Sequence, residues 1–119
     1  MGTFRVRIEV GDPARVRFEV VEALVDTGAT YTVLPSALLR RLGVTPHTQA
    51  PFVLADGSEV ERDVGRTWVR LDSREEYTLV VFGDEALLGA VTLEEFRLVP
   101  DPVSQRLLPV PALMMRLAA

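Results

Sequence analysis

The sequence predicts an all-β, barrel-like domain with one or two short helices. Apolar and polar residues alternate with a period of two over many short segments, which is typical of half-buried strands. Turn residues separate these segments, and few segments carry helix signals. The chain has 119 residues and no linker-like stretch, so we expect one domain over residues 1–111 and a C-terminal tail over residues 112–119.

The composition argues against several classes of protein. The chain has no cysteine and a single histidine, which removes disulfides, thiolate metal sites and histidine clusters. A net charge of −4 is unfavourable for a nucleic-acid partner, because phosphates require a basic surface. Apolar runs are too short to cross a bilayer, and no secretory leader is recognisable. We therefore expect a cytoplasmic protein with no metal, nucleic-acid or membrane partner.

The N-terminal segment, residues 3–21, is predicted to form a β-hairpin. Apolar side chains alternate with arginine and glutamate on both sides of a turn cluster at residues 11–14. Residues 20–25 are more continuously apolar, which indicates a strand that enters the core.

The middle of the chain is predicted to contain a helix, a loop and a second hairpin. A short helix is expected over residues 37–42, with Ser36 as its N-cap and Gly43 at its end. Residues 46–51 contain two prolines and polar side chains and are predicted to be a loop. The Asp-Gly pair at residues 56–57 predicts a tight hairpin in which both residues have positive φ.

The C-terminal part is predicted to add strands and one helical turn. Residues 77–82 have strand character. Thr92 and Glu95 fit a capping box, which would open one turn of helix. Residues 96–99 and 107–110 are candidate strands, and Pro109 and Pro111 restrict the second to a sheet edge.

Asp26 is the candidate functional residue. It lies in residues 24–30, where two apolar residues precede an Asp-Thr-Gly and an alanine follows it. Gly28 permits the backbone to turn after the strand and leaves space above the carboxylate. This pattern is expected by chance in only about 0.1% of chains of this length, so it favours a functional role. The alternative is a structural Asx-turn, in which Asp26 accepts hydrogen bonds from its own loop.

The order of motifs resembles that of the retroviral-type, or retropepsin-like, aspartic proteases, and more closely that of their small bacterial and archaeal relatives. The segments that carry the resemblance are the loop Asp26, Thr27, Gly28, Ala29 and Thr30, the hairpin tip Ala55, Asp56, Gly57 and Ser58, and the apolar-apolar-glycine element Leu87, Leu88 and Gly89. The resemblance implies the closed β-barrel of the acid protease fold. It also implies an aspartic endopeptidase that acts on a peptide or protein substrate.

The family mechanism requires two aspartates, and the chain has one Asp-Thr-Gly. The resemblance therefore implies a symmetric homodimer with Asp26 of each subunit on the two-fold axis. Two carboxylates about 3 Å apart share a proton, so one can activate water while the other donates to the peptide carbonyl. No metal or cofactor is required. Thr27 is implied to brace the dimer, Gly28 to contact substrate backbone, and residues 53–60 to form a flap.

Some positions depart from the family pattern. Viral members often carry an arginine after the second apolar pair and its glycine, where it braces the active loop, but Gly89 is followed here by Ala90 and Val91. The segment 109–111, Pro-Val-Pro, is also a poor central strand for an interleaved terminal sheet. Two alternatives stay open: a peptide-binding or dimerisation β-domain that keeps the fold without cleaving, and a structural dimer module without a peptide ligand.

Overall fold

The structure, a computed structural model, describes residues 3–111. The predicted tail at residues 112–119 lies outside the described residues, so the boundary at residue 111 stays a prediction. The elements within the described range are β1 (Arg5–Gly11), β2 (Phe18–Val25), β3 (Thr32–Pro35), α1 (Ser36–Arg41), β4 (Thr48–Val53), β5 (Glu59–Leu71), β6 (Arg74–Gly83), β7 (Leu87–Leu88), α2 (Ala90–Phe96), β8 (Leu98–Asp101) and β9 (Arg106–Pro109).

Six of the strands in this part of the chain form a ring in the order β1-β2-β7-β3-β6-β5. A short antiparallel contact between β1 and β5 closes the ring, with Val10 opposite Val69. Strand β4 pairs with β5 outside the ring, and β8 and β9 form a separate two-stranded sheet. The predicted all-β closed barrel with short helices is therefore confirmed.

The two halves of the chain meet through parallel strand pairs. β2 pairs with β7, so that Val25 lies opposite Leu88. β3 pairs with β6, so that Leu34 lies opposite Phe82. The end of β2, where the candidate loop begins, is thus held beside an element from late in the sequence.

The core lies inside the ring and beneath the helices. In β1 the side chains of Ile8 and Val10 are buried while Arg5 and Arg7 are exposed, as the period-two pattern predicts. Strand β1 pairs with β2 along its whole length, which confirms the N-terminal hairpin. Among the described residues, neither helix is both long and apolar enough to span a membrane.

The prediction of a loop over residues 46–51 is wrong. Residues Thr48–Val53 form β4, which pairs with β5 along six positions. Its side chains are exposed or half-buried, so the apolar periodicity that identifies a strand is weak. Because β4 is an edge strand, it also tolerates Pro51, which cannot donate a ladder hydrogen bond.

The prediction that Ser36 caps the first helix is also wrong. Pro35 occupies the N-cap, and Ser36 is the first residue of α1, with its Oγ donating to the carbonyl oxygen of Gly83 at 3.2 Å. The prediction that Gly43 ends this helix is confirmed. Gly43 follows the helix with φ of +80°, a conformation that glycine adopts without steric cost.

The capping box of Thr92 and Glu95 does not form. The N-cap of α2 is Gly89, the helix runs over Ala90–Phe96, and Thr92 lies inside it. The hydroxyl of Thr92 bonds other buried side chains instead of the helix backbone. The two predicted C-terminal strands are present as β8 and β9, with shifted ends.

Candidate functional site

Asp26 is the first residue after β2 and is half-buried. The preceding Val25 is buried in the core, and its N–H donates to the Phe4 carbonyl at 2.8 Å. Asp26 therefore lies where the strand leaves the core. The N–H of Asp26 itself donates to the carbonyl oxygen of Leu88 at 3.0 Å. The parallel pairing of β2 and β7 therefore continues as far as the carboxylate.

The loop after Asp26 is closed by its own aspartate. The N–H of Gly28 donates to Asp26 Oδ1 at 3.0 Å, and the N–H of Ala29 donates to the Asp26 carbonyl at 3.1 Å. A Cβ on Gly28 would lie 3.1 Å from Asp26 Oδ1, so glycine keeps that space clear. Within residues 3–111, Asp26 Oδ2 accepts no hydrogen bond, which leaves one carboxylate oxygen available.

Backbone hydrogen bonds also attach this loop to the start of α2. The N–H of Ala90 donates to the Ala29 carbonyl at 2.9 Å, and the N–H of Val91 donates to the Thr30 carbonyl at 2.9 Å. The first N–H groups of a helix lack partners inside the helix, and here the loop carbonyls satisfy them. Together with the bond from Asp26 to Leu88, these contacts tie residues 26–30 to residues 88–91. We call this set of three backbone hydrogen bonds the strap.

Gly89 is required by close packing. A Cβ at this position would lie 2.5 Å from the backbone carbon and oxygen of Tyr31, closer than any side chain can approach. Leu88 and Gly89 are buried, whereas Leu87 is half-buried and faces the cleft described below. The structure thus brings the predicted apolar-apolar-glycine element directly beside the Asp26 loop.

Three fully buried threonines, which the sequence did not identify as site residues, lie behind the loop. The N–H of Gly89 donates to Thr32 Oγ1 at 3.1 Å, and Thr32 Oγ1 donates to Thr92 Oγ1 at 2.7 Å. Thr92 Oγ1 lies 3.0 Å from Thr78 Oγ1. Of the three, only Thr78 lies in a predicted strand, and no spacing in the sequence links it to Thr32 or Thr92.

A cleft of about 1030 Å³ opens over Asp26. Its floor includes Val33, Val81 and Leu87, and its opposite wall is the β4–β5 hairpin. The cleft is therefore mostly apolar, with a carboxylate at its base.

The hairpin is joined to the loop side by an aromatic contact. The rings of Tyr31 and Phe52 pack edge to face with centroids 6.4 Å apart. At the mouth of the cleft, Arg62 lies 3.6 Å from the carboxylate of Asp84.

The tip of the hairpin is a three-residue loop. The N–H of Leu54 donates to the Ser58 carbonyl at 2.8 Å, and the N–H of Gly57 donates to the Leu54 carbonyl at 2.9 Å. The φ of Gly57 is +89°, but Asp56 is not among the residues with positive φ, so that part of the prediction is wrong. This bonding corresponds to a turn followed by a left-handed glycine, which requires only one positive φ.

Of the predicted tip residues, Ala55 lines the cleft, whereas Asp56, Gly57 and Ser58 do not. Asp56 Oδ1 accepts hydrogen bonds from Ser58 Oγ at 2.6 Å and from the Ser58 N–H at 2.9 Å. These donors hold the pKa of Asp56 below its ordinary value, because they stabilise the carboxylate.

Thr27 and Thr30 are both exposed at the rim of the loop. The Thr27 hydroxyl makes no hydrogen bond within the part of the chain that the structure describes. No cluster of three or more metal-ligating side chains occurs there either. A second cavity, of about 560 Å³, is lined by His47, Arg66 and Tyr77 among others and contains none of the predicted site residues.

Comparisons with known proteins agree with this geometry. A sequence model of the family described as aspartyl protease matches residues 6–99. The chain is similar to the simian foamy virus (mac) protease in solution, with 22% identity, a TM-score of 0.55, and coverage of 76% of this chain and 92% of that one. It is similar to the EIAV protease in complex with the inhibitor HBY-793, with 22% identity, a TM-score of 0.56, and coverage of 79% and 88%.

A bacterial structure is similar as well. The retropepsin-like aspartic protease from Rickettsia conorii has 20% identity, a TM-score of 0.54, and coverage of 89% of this chain and 91% of that one. A search of curated proteins finds no match. The structural likenesses confirm the predicted retropepsin-like fold.

Proposed function

Because the chain belongs to the aspartyl protease family and is an aspartic-type endopeptidase, we propose that Asp26 is its catalytic carboxylate and works in pairs across a homodimer. One Asp26 would come from each subunit. The ionised carboxylate takes a proton from a water that attacks the peptide carbonyl, and the protonated one donates to the carbonyl oxygen.

The observation that carries this proposal is the position of Asp26 at the base of the cleft. Its Oδ1 is held by the N–H of Gly28, and the loop is tied to residues 88–91 by the strap. A carboxylate in a fixed orientation beneath an apolar cleft is suited to activating water against a bound peptide.

The register of β2 and β7 supports the need for a second subunit. Leu24 pairs with Leu87 and Val25 with Leu88, so the position beside Asp26 is occupied by Gly89. A glycine cannot supply the second carboxylate of the pair. The exposed Thr27 hydroxyl, which is next to Asp26, is available to bond across a two-fold axis.

The position of the β4–β5 hairpin supports a role as the flap. It forms one wall of the cleft, its strand β4 lies outside the closed ring, and Val53 and Leu54 are 68% and 43% exposed. An extended peptide would lie between this hairpin and Asp26, where a cover excludes water from the reaction.

One observation favours the alternative of a non-catalytic peptide-binding or dimerisation domain. The hydrogen bond from Gly28 to Asp26 Oδ1 is also what a purely structural Asx-turn would show. Asparagine keeps this acceptor and the shape of the side chain but loses the carboxylate. Asp26→Asn therefore distinguishes a catalytic carboxylate at this position from a purely structural Asx-turn.

The test is cleavage of a mixed peptide library from acidic to neutral pH by the wild type and by Asp26→Asn. We expect the wild type to cleave and the variant to lose activity by a factor of about 10² to 10⁴ or more, with the thermal unfolding curve almost unchanged. Cleavage by both proteins, or by neither, would contradict the proposal.

The two-subunit mechanism has its own test. Activity per subunit is expected to fall on dilution below the dimer dissociation constant, and an excess of the Asp26→Asn chain is expected to suppress the wild type by forming mixed dimers. Analytical ultracentrifugation gives the dissociation constant independently. A strict monomer that still cleaves, or a wild type insensitive to the variant after subunit exchange, would rule out the paired site.

A further inference from the structure

The chain of buried threonines connects three separate elements behind the active loop. Thr32 belongs to β3, Thr78 to β6 and Thr92 to α2, and each is 0% exposed. Because Thr92 Oγ1 accepts from Thr32, its own proton is available to Thr78 Oγ1 at 3.0 Å. The hydroxyls thus form a continuous chain that starts at the N–H of Gly89.

This chain fixes the position of the helix that holds the loop. Thr92 directly follows Ala90 and Val91, whose N–H groups donate to the carbonyls of Ala29 and Thr30. A rotation or shift of α2 would break the hydrogen bonds of Thr92 and those two bonds of the strap together. The side chains of Ala90 and Val91 are apolar, so they cannot themselves brace the loop by hydrogen bonding.

We infer that Thr92 is a positioning residue for Asp26, because the threonine chain fixes α2, and with it the strap, against β3 and β6. This inference rests on the proposed function of Asp26. A small displacement of a catalytic group, produced away from the reaction itself, is enough to lower turnover strongly. Buried hydroxyls with complete hydrogen bonding also specify one arrangement of the elements that they join.

The main variant is Thr92→Val, which keeps the volume of the side chain and removes the hydroxyl. It leaves the hydroxyls of Thr32 and Thr78 without their shared partner. At a temperature where all proteins are folded, we expect kcat to fall about tenfold to a hundredfold with little change in KM. Thr92→Ser restores the hydroxyl without the methyl group and is expected to restore most of kcat.

Thr67 provides a matched control. It is also a fully buried threonine, and its hydroxyl donates to the carbonyl of Gly11, between β5 and the N-terminal hairpin. Thr67→Val is expected to lower the melting temperature comparably and to leave kcat near that of the wild type. A purely structural role for Thr92 predicts the same behaviour for both valine variants.

Amide hydrogen exchange gives a readout that does not require activity. Thr92→Val is expected to speed exchange at Ala90 and Val91 about tenfold relative to Thr67→Val. If the wild type does not cleave, the proposed function fails while this comparison still tests the positioning of the loop.

Three results would overturn the inference: equal kcat for the two valine variants, equal exchange at Ala90 and Val91, or failure of Thr92→Ser to restore turnover. If Thr92→Val does not fold, Thr78→Val removes the far end of the chain and is compared with Thr67→Val in the same assays. A lower kcat and faster exchange than in the control support the inference, and equality overturns it.

Discussion

The Asp26 loop and the tip of the β4–β5 hairpin are built on the same local turn chemistry. In each, an aspartate Oδ1 accepts the N–H two residues further on: that of Gly28 in the first, that of Ser58 in the second. The surroundings differ. The first turn is bound to residues 88–91 and backed by buried threonines, whereas residues 53–59 are all exposed.

The two turns show that the same local sequence motif can occur in a rigidly held loop and in an exposed hairpin tip. The motif determines the direction of the chain, but the resistance of the turn to movement comes from tertiary contacts. The supported turn therefore suits the proposed role of Asp26, which requires accurate placement, and the exposed turn suits the proposed flap, which must move to admit a peptide.

The largest expected effect is that of Gly89→Ala on the supported side. Its Cβ would lie 2.5 Å from the Tyr31 backbone, which cannot move without disturbing the loop. We expect the free energy of unfolding to fall by about 3 kcal/mol, the upper end of the usual cost of overpacking. Urea denaturation measures this change. A loss below about 1 kcal/mol would show that the loop can move to accommodate the added methyl group.

A smaller effect is expected from Gly57→Ala at the hairpin tip. No atom lies within 4 Å of the new Cβ, but φ of +89° is unfavourable for alanine. The expected loss is about 1 kcal/mol, and Gly57→Asn should lose less because asparagine tolerates this conformation better. If denaturation of Gly57→Ala shows a larger loss than that of Gly89→Ala, the comparison of the two regions is wrong.

The smallest effect concerns the pH dependence of the hairpin tip. The Ser58 hydroxyl, followed by its N–H, holds the pKa of Asp56 below its ordinary value of 3.8. Because the pKa of Asp56 is lower in the folded turn than in the unfolded chain, its carboxylate stabilises the turn at pH values above the unfolded pKa. This contribution is lost as pH falls through the folded pKa. The turn should therefore loosen as the pH falls below the ordinary pKa of Asp56.

An NMR titration of wild type and Ser58→Ala checks this prediction. Removal of the hydroxyl is expected to raise the pKa of Asp56 toward its ordinary value while the Ser58 N–H bond remains. An unchanged pKa in the variant would mean that the hydroxyl does not stabilise the carboxylate.

Local patterns predicted the parts of the fold that local physics determines. Alternation identified β1 and β2, because Ile8 and Val10 face the core while Arg5 and Arg7 face solvent. The same rule missed β4, whose pairing depends on backbone hydrogen bonds to β5 and not on a buried face.

The candidate site shows the same limit. Asp26 and Gly28 were identifiable because their roles depend on a few adjacent residues. Thr92 was assigned to a capping box because Glu95 follows it three residues later. The buried partners of its hydroxyl are 60 and 14 residues away, so no local pattern identifies them. Only closure of the barrel brings these three side chains together.

The strap has a consequence for the order of folding. It joins residues 26–30 to residues 88–91, and the neighbouring bond from Gly89 to Thr32 spans 57 residues. Contacts between such distant positions form slowly, whereas local hairpins form in about 1–10 μs. The Asp26 loop is thus expected to order late. With Asp26 as the proposed catalytic carboxylate, an incompletely folded chain is expected not to cleave its neighbours.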